Sequence, residues 1–273
     1  PGFPGAVMPQ HNALRTAPAI RARQVMFPAG RPGVGALPEH VARTALGTWW
    51  ADHPLRPRAA AVSCAGYAVL AGDPGATAPE DLAHLAHCYV VTPDRFLPAL
   101  GSVFVRIVPW ERMIWAYDGP VPAGRPAPGV VVRPLTPADA PEVRALGPDL
   151  AWTASSWGGP SGLAASGHGW GAFRDRRLLS LACTLFAGSR YEDIAVATLP
   201  DERGRRLASA CVRALCADIT TRGRIPSWSC SRDNHPSRHL AAKSGFRLIH
   251  TYVHYALGAP AAATGPPVAA TRR

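Results

Sequence analysis

Residues 201–216 read DERGRRLASACVRALC, five charges around one glycine that run directly into a helix-forming stretch. Leu207, Ala208, Cys211, Val212, Leu215 and Ile219 share one face at helical spacing, so the helix begins just after the glycine. Upstream, YEDIAVATLP alternates Ile194, Val196 and Thr198 against Asp193, Ala195 and Ala197, the period of a strand that stops at Pro200. A strand therefore turns into a helix through an Arg-Gly corner. The first amides of a helix lack carbonyl partners and carry the positive end of its dipole, which suits a phosphate. The alternative is an ordinary connection with solvated arginines. Two further groups of residues have chemical potential. Glu192 and Asp193 are adjacent on the strand and point to opposite faces, so only one reaches any given cleft; His250, Tyr252 and His254 share one face of a closing strand.

The elements that must position these groups alternate along the chain. PEHVARTALGTWW reads as a helix, AAVSCAGYAVLAGDP as two short strands, APEDLAHLAH as a helix, CYVVTP as a strand, PDRFLPALG as a short helix, and VFVRIVPWERMIWAYDG as two strand-like runs. GPVPAGRPAPG, residues 119–129, is the linker candidate. A second series follows: strand VVVRPLTP, helix PADAPEVRALG, a Gly/Ser/Trp-rich segment, a hairpin turning at 175–177, the strand and helix described above, strand IPSWSC, a helix ending before Gly245, and strand FRLIHTYVHYAL. The expected division is a flexible tail over 1–37, an N-terminal α/β domain over 38–118, the linker, a second domain over 130–257 and a flexible tail over 258–273.

The chain has 273 residues, enough for one large domain or two smaller ones. It shows no long apolar run and no charged-then-apolar leader, so the expectation is a soluble, cytoplasmic protein without a membrane partner. Its six cysteines form no CxxC pair and no zinc-type spacing, which assigns them to the core and predicts no metal. The net charge of +11 is uneven: residues 1–120 balance at +2 and residues 121–273 at +9, with Lys243 the only lysine. A positive field of that kind attracts phosphorylated partners, either a nucleotide-bearing cofactor or nucleic acid.

The element order and three features resemble the GNAT superfamily of CoA-dependent N-acyltransferases over about residues 129–257. IAVATLPDERGRRLA is similar to the family's strand, (Gln or Arg)-x-x-Gly-x-(Gly or Ala) turn and helix. In SRDNHPSRHLAAKSGF, Asn234, Ser237, Leu240, Gly245 and Phe246 match its second register, and a strand pair precedes the turn. The resemblance implies an α/β fold, a GNAT-like mixed sheet flanked by helices, preceded by a smaller α/β domain that is a degenerate companion half. It also implies acetyl-CoA or another acyl-CoA as co-substrate, its pantetheine arm lying between strands 191–198 and 226–230.

On that resemblance the pyrophosphate contacts are Arg203, Gly204, Arg205, Arg206, Leu207 and Ala208. Ala195, Val196 and Ala197 offer backbone bonds to the acyl arm, and Asn234 and Ser237 complete the donor site. Glu192 is the expected base that takes a proton from the attacking ammonium, since a carboxylate shielded from water has its pKa raised. The family often has a Tyr where this chain has Ala241; Tyr252 is the expected replacement acid. Trp152, Trp157 and Trp170 are expected to form a mobile acceptor loop. Arg206 stands where the family has Gly, which opens two alternatives to acyl-CoA transfer onto a small-molecule amine. One is a transferase using aminoacyl-tRNA, with tRNA as a partner suited to the positive half; the other is a non-catalytic binding protein on a degenerate fold.

Overall fold

The computed structural model describes residues 22, 24–119 and 128–258. The chain enters through a 3-10 turn at Gly33–Ala36 and helix α1 (Leu37–Thr44), then builds β1 (Thr48–Ala51), β2 (Ala59–Cys64), β3 (Tyr67–Gly72), α2 (Pro79–Leu82), β4 (Tyr89–Val91), α3 (Leu97–Val103) and β5 (Ile107–Tyr117). The second series is β6 (Val131–Pro134), α4 (Ala140–Arg144), a 3-10 helix at Pro148–Trp157, α5 (Pro160–Ala165), β7 (Gly169–Arg174), β8 (Arg177–Ala187), β9 (Tyr191–Thr198), α6 (Leu207–Thr221), β10 (Ile225–Ser231), α7 (His235–Lys243) and β11 (Phe246–Leu257). This is a mixed α/β architecture with one large sheet flanked by helices, as the sequence implied.

All eleven strands join one sheet in the order β1-β2-β3-β4-β11-β5-β10-β9-β8-β7-β6. Both series follow one pattern. In the first, β1, β2 and β3 are antiparallel neighbours and β4 adds in parallel to β3; in the second, β7, β8 and β9 are antiparallel and β10 adds in parallel to β9. Each series then sends its last strand to the other: β5 pairs with β10, β11 pairs with β4, and β5 and β11 run antiparallel along the centre. The two series thus share a strand pattern, and each completes its part of the sheet with the other's last strand. The VFVRIVPWERMIWAYDG segment forms one long strand rather than two, because β10 covers only Arg112–Ala116 and Pro109 lies where β5 has a partner on one side alone.

Helix α6 buries Leu207, Cys211, Val212, Leu215 and Ile219 against Ile194, Trp228 and Cys230, as its periodicity predicted. The opposite face of the sheet is covered by the entry turn, α1 and the segment 148–165. Residues 27–37, assigned by composition to a flexible tail, are packed there: Phe27, Val34, Ala36 and Leu37 are buried. Gly33 explains the close approach. Its φ is +65°, its N–H donates to Ser227 Oγ at 3.0 Å, and a Cβ would meet Ser229 Oγ at 2.8 Å. The remainder of the two expected tails, and residues 120–127 of the expected linker, lie outside the described residues.

Candidate active site

The corner between β9 and α6 has an unusual start. Arg206, at the N-cap, adopts φ +60° and ψ +16°, and no side chain caps the helix. The amides of Leu207, Ala208 and Ser209 therefore meet no intrahelical carbonyl and no capping oxygen. The left-handed conformation at Arg206 is the one glycine adopts without strain, which accounts for the glycine preferred at this place in the motif. The acids of the corner turn away from it: Asp201 accepts from Arg177 at 2.8 Å, and buried Glu202 holds Arg174 and Arg205 at 3.2 Å each. Arg203 and Arg206 are exposed, and neither joins an ion pair among the described residues.

Behind the corner the sheet opens. β9 and β10 pair in parallel from Tyr191/Ile225 to Ile194/Trp228, and no further. Beyond that point Ala195–Thr198 pair only with β8, and Ser229–Ser231 only with β5. The inner edges of Ala195, Val196 and Ala197 thus face a gap with backbone groups that an extended ligand can pair with as another strand would. Asn234 caps α7, its Oδ1 accepting from the Ser237 N–H at 3.1 Å, and Ser237 Oγ accepts from the Trp228 indole at 2.9 Å. These two residues fix α7 against β10.

Within the paired stretch, just before the strands part, the two neighbouring carboxylates have opposite environments. Glu192, fully buried, accepts from Thr184 Oγ1 at 2.5 Å, Arg224 at 2.8 Å and Arg222 at 2.9 and 3.1 Å, with His168 Nδ1 at 3.2 Å. Burial alone would raise its pKa, but these partners hold it well below the usual carboxylate range. Two guanidinium groups and a hydroxyl on Glu192 favour its ionised form and oppose the base role expected of it. Asp193 lies on the other face, accepting only from the hydroxyls of Ser227 and Ser229, each at 3.1 Å. Burial, opposed in part by those hydroxyls and by the Arg112 charge, pushes Asp193 up to about 7.

Asp193 belongs to a polar strip that crosses the centre of the sheet. Arg112 on β5, 7% exposed, donates to Ser231 Oγ at 2.7 Å and leaves its buried Nε without an acceptor. Tyr252 stands opposite Arg112 in the β5–β11 register; its hydroxyl lies beside that guanidinium without a well-formed hydrogen bond among the described residues, and burial, opposed in part by the Arg112 charge, pushes it up to about 12. His254, 1% exposed, stacks on Tyr89 with ring centroids 4.7 Å apart, and neither ring nitrogen has a partner. Burial first, then Arg112, lowers it to about 3, so it is neutral. His250, Tyr252 and His254 were predicted to share a face, and Tyr252 and His254 meet on this strip. Arg112, Ser227, Ser229 and Ser231 were missed. The serine series had a legible signal, since IPSWSCS places a hydroxyl at every second residue of an otherwise buried strand.

The three tryptophans do not form a mobile loop. Trp152 and Trp157 lie on the 3-10 helix against the core of the α1 face; the Trp157 indole donates to Thr184 O at 2.7 Å and its ring stacks on His168 at 4.8 Å. Trp170, on β7, packs by the α6 core and donates to Asp218 at 3.3 Å. Their rings are partly buried on opposite faces of the sheet and do not share one loop. The first repeat offers no second anion site. At its equivalent corner, Asp73 accepts from the Gly75 N–H at 2.9 Å and pairs with Arg58, while Asp81 accepts from the Ala78 N–H at 2.9 Å. Carboxylates occupy the amides there.

The architecture and sequence have relatives. The family model described as GNAT acetyltransferase matches residues 142–255. An uncharacterized N-acetyltransferase encoded in the mutA 5' region of Streptomyces virginiae is 58% identical over 197 residues, covering 72% of this chain and 83% of that protein. Among solved structures, a GCN5-related N-acetyltransferase-like protein from Streptococcus suis superposes with a TM-score of 0.68 at 19% identity, over 88% of this chain and 99% of that one. A tandem GNAT protein from the clavulanic acid biosynthesis pathway superposes with a TM-score of 0.56 at 15% identity, over 92% of this chain and 97% of that one, in keeping with the two-repeat sheet. From the corner, the parted strands and these relatives, the chain belongs to the GNAT superfamily of N-acetyltransferases.

Proposed function

We propose that the protein transfers an acetyl group from acetyl-CoA to an amine of a small molecule, with Asp193 rather than Glu192 as the base. The observation that carries this reading is Asp193, a buried carboxylate near neutrality among the last paired residues of β9 and β10, one position before the pairing ends. Bound acetyl-CoA supplies an activated acyl carbon as its thioester. The amides at Leu207 and Ala208, with Arg203, Arg205 and Arg206, hold its pyrophosphate. The open edge of Ala195–Ala197 holds the acyl arm and its carbonyl oxygen. Asn234 retains its side-chain N–H groups for the same arm. Asp193 removes one proton from the acceptor ammonium, freeing the nitrogen pair that attacks the thioester carbonyl carbon; as the C–N bond forms and the C–S bond breaks, the nitrogen gives up a second proton to water. Tyr252, protonated throughout the physiological range, donates to the departing sulfur.

Titration calorimetry with acetyl-CoA, followed by thiol-release assays with primary amines, tests the reading. Acetyl-CoA should bind, and reversing both charges in Arg203→Glu/Arg206→Glu should weaken it by about tenfold or more. No binding of acetyl-CoA, or unchanged affinity in the double variant, refutes it. Salt-sensitive binding of charged tRNA in place of acetyl-CoA gives the aminoacyl-tRNA alternative instead.

A further inference from the structure

The geometry points to an acceptor that carries a carboxylate as well as its amine, the carboxylate seated on Arg112; this rests on the transfer reading above. Arg112 is a buried guanidinium with no carboxylate within ion-pair distance among the described residues. Its hydrogen bond is to a neutral hydroxyl, Ser231 Oγ at 2.7 Å, and its Nε has no acceptor. A buried charge left in that condition is costly, and an anion that completes its fork of donors removes the cost. The neighbours on the strip are donors of the right kind. Among the described residues both nitrogens of His254 are unpartnered, and the imidazole, being neutral, still carries one N–H; the Tyr252 hydroxyl has the Arg112 guanidinium beside it and no acceptor for its own proton.

Several orphaned polar atoms on one strip, rather than one scattered lapse, mark a place that a ligand satisfies. The planar, two-toothed edge of a guanidinium matches a carboxylate. Asp193 lies on the same face, held by Ser227 and Ser229, while Ser231 of the same strand holds Arg112. A base for the amine and a seat for the carboxylate thus lie along one strand, the arrangement an amino acid or a peptide C-terminal residue requires. The strip ends at Trp110, T-stacked on His254 at 6.0 Å, and Trp110 lines a surface cavity of about 410 Å³ with Glu111, Arg232, Asp233, His235 and Arg238.

The test measures product-side binding, which needs no donor. N-acetylglycine, N-acetyl-L-leucine and N-acetyl-L-phenylalanine, each beside its C-terminal amide, are titrated into the full chain with ligand-observed NMR. At least one acid should bind about tenfold or more tightly than its amide, and Arg112→Gln should abolish that preference. Arg112→Lys, which keeps charge without the fork, should restore it only in part. Equal binding of acids and amides, no binding of any acid, or a preference that survives in Arg112→Gln overturns the proposal. The acid-versus-amide comparison in the unmodified protein stands even if the variants misfold. Acetyl-CoA titrated in parallel separates the two failures: donor binding without carboxylate preference defeats the acceptor class alone, and carboxylate preference without donor binding defeats the transfer reading alone.

Discussion

Replacing Asp193 by Asn removes one ionisable group from the polar strip and nearly preserves its shape. Asp193 is 3% exposed and is pushed from 3.8 to about 7, because burial outweighs two serine hydroxyls and the Arg112 charge. A displacement of that size corresponds to roughly 4 kcal/mol at 1.36 kcal/mol per pKa unit. The sign is fixed by linkage. Between the ordinary carboxylate range and pH 7 the folded protein keeps a proton that the unfolded chain has lost, so stability from this group falls as pH rises through that window and is level above it. In Asp193→Asn the slope disappears. Urea denaturation at pH 5 and pH 8.5 should find the variant more stable at both, by roughly 1.5 kcal/mol at pH 5 and roughly 4 kcal/mol at pH 8.5. Groups common to both proteins cancel in the comparison. The same variant should lose turnover by about 100-fold or more while binding acetyl-CoA unchanged, and wild-type kcat/KM should climb with pH through about 7 as the base ionises. An unaltered pH slope in the variant refutes the assigned environment; full turnover refutes the assigned role.

Other substitutions separate the remaining roles. Glu192→Gln leaves Arg222 and Arg224 without their buried counter-charge and should cost about 3 kcal/mol in urea denaturation, with acetyl-CoA affinity intact. Arg206→Gly should relieve the left-handed backbone at the α6 N-cap and raise stability by about 1 kcal/mol, read as a higher melting temperature. Tyr252→Phe removes a buried hydroxyl whose neighbour is the Arg112 guanidinium, so it should cost no more than about 1 kcal/mol of stability and lower kcat by about 100-fold, more than it alters KM.

The parts of the site that could be read in the sequence are those set by adjacent residues. The Arg-Gly corner, the capped start of α7 at Asn234 and the shared face of Tyr252 and His254 each depend on a few consecutive positions. The choice between Glu192 and Asp193 did not, because both faces of β9 are covered and alternation alone cannot say which cover is the cleft. Arg222 and Arg224, in TRGRIPSW, were the overlooked clue: β9 and β10 run parallel, so the residues just before β10 arrive beside Glu192. Gly and Ser around Trp152 and Trp157 suggest a loop, whereas the 3-10 helix at Pro148–Trp157 lays these two rings, partly buried, against the core. Arg112 was out of reach, since it enters the site from the other repeat through a pairing that no local pattern encodes.

Because each repeat finishes its sheet with the other's final strand, neither is a self-sufficient unit. During synthesis β4 and β5 emerge well before β11 and β10, so the early portion of the polypeptide exposes bare hydrogen-bonding edges until residue 257 has cleared the ribosome. Cutting the gene between the repeats would produce two fragments that need each other to become native, and the duplication behaves as an intertwined dimer fused into one polypeptide.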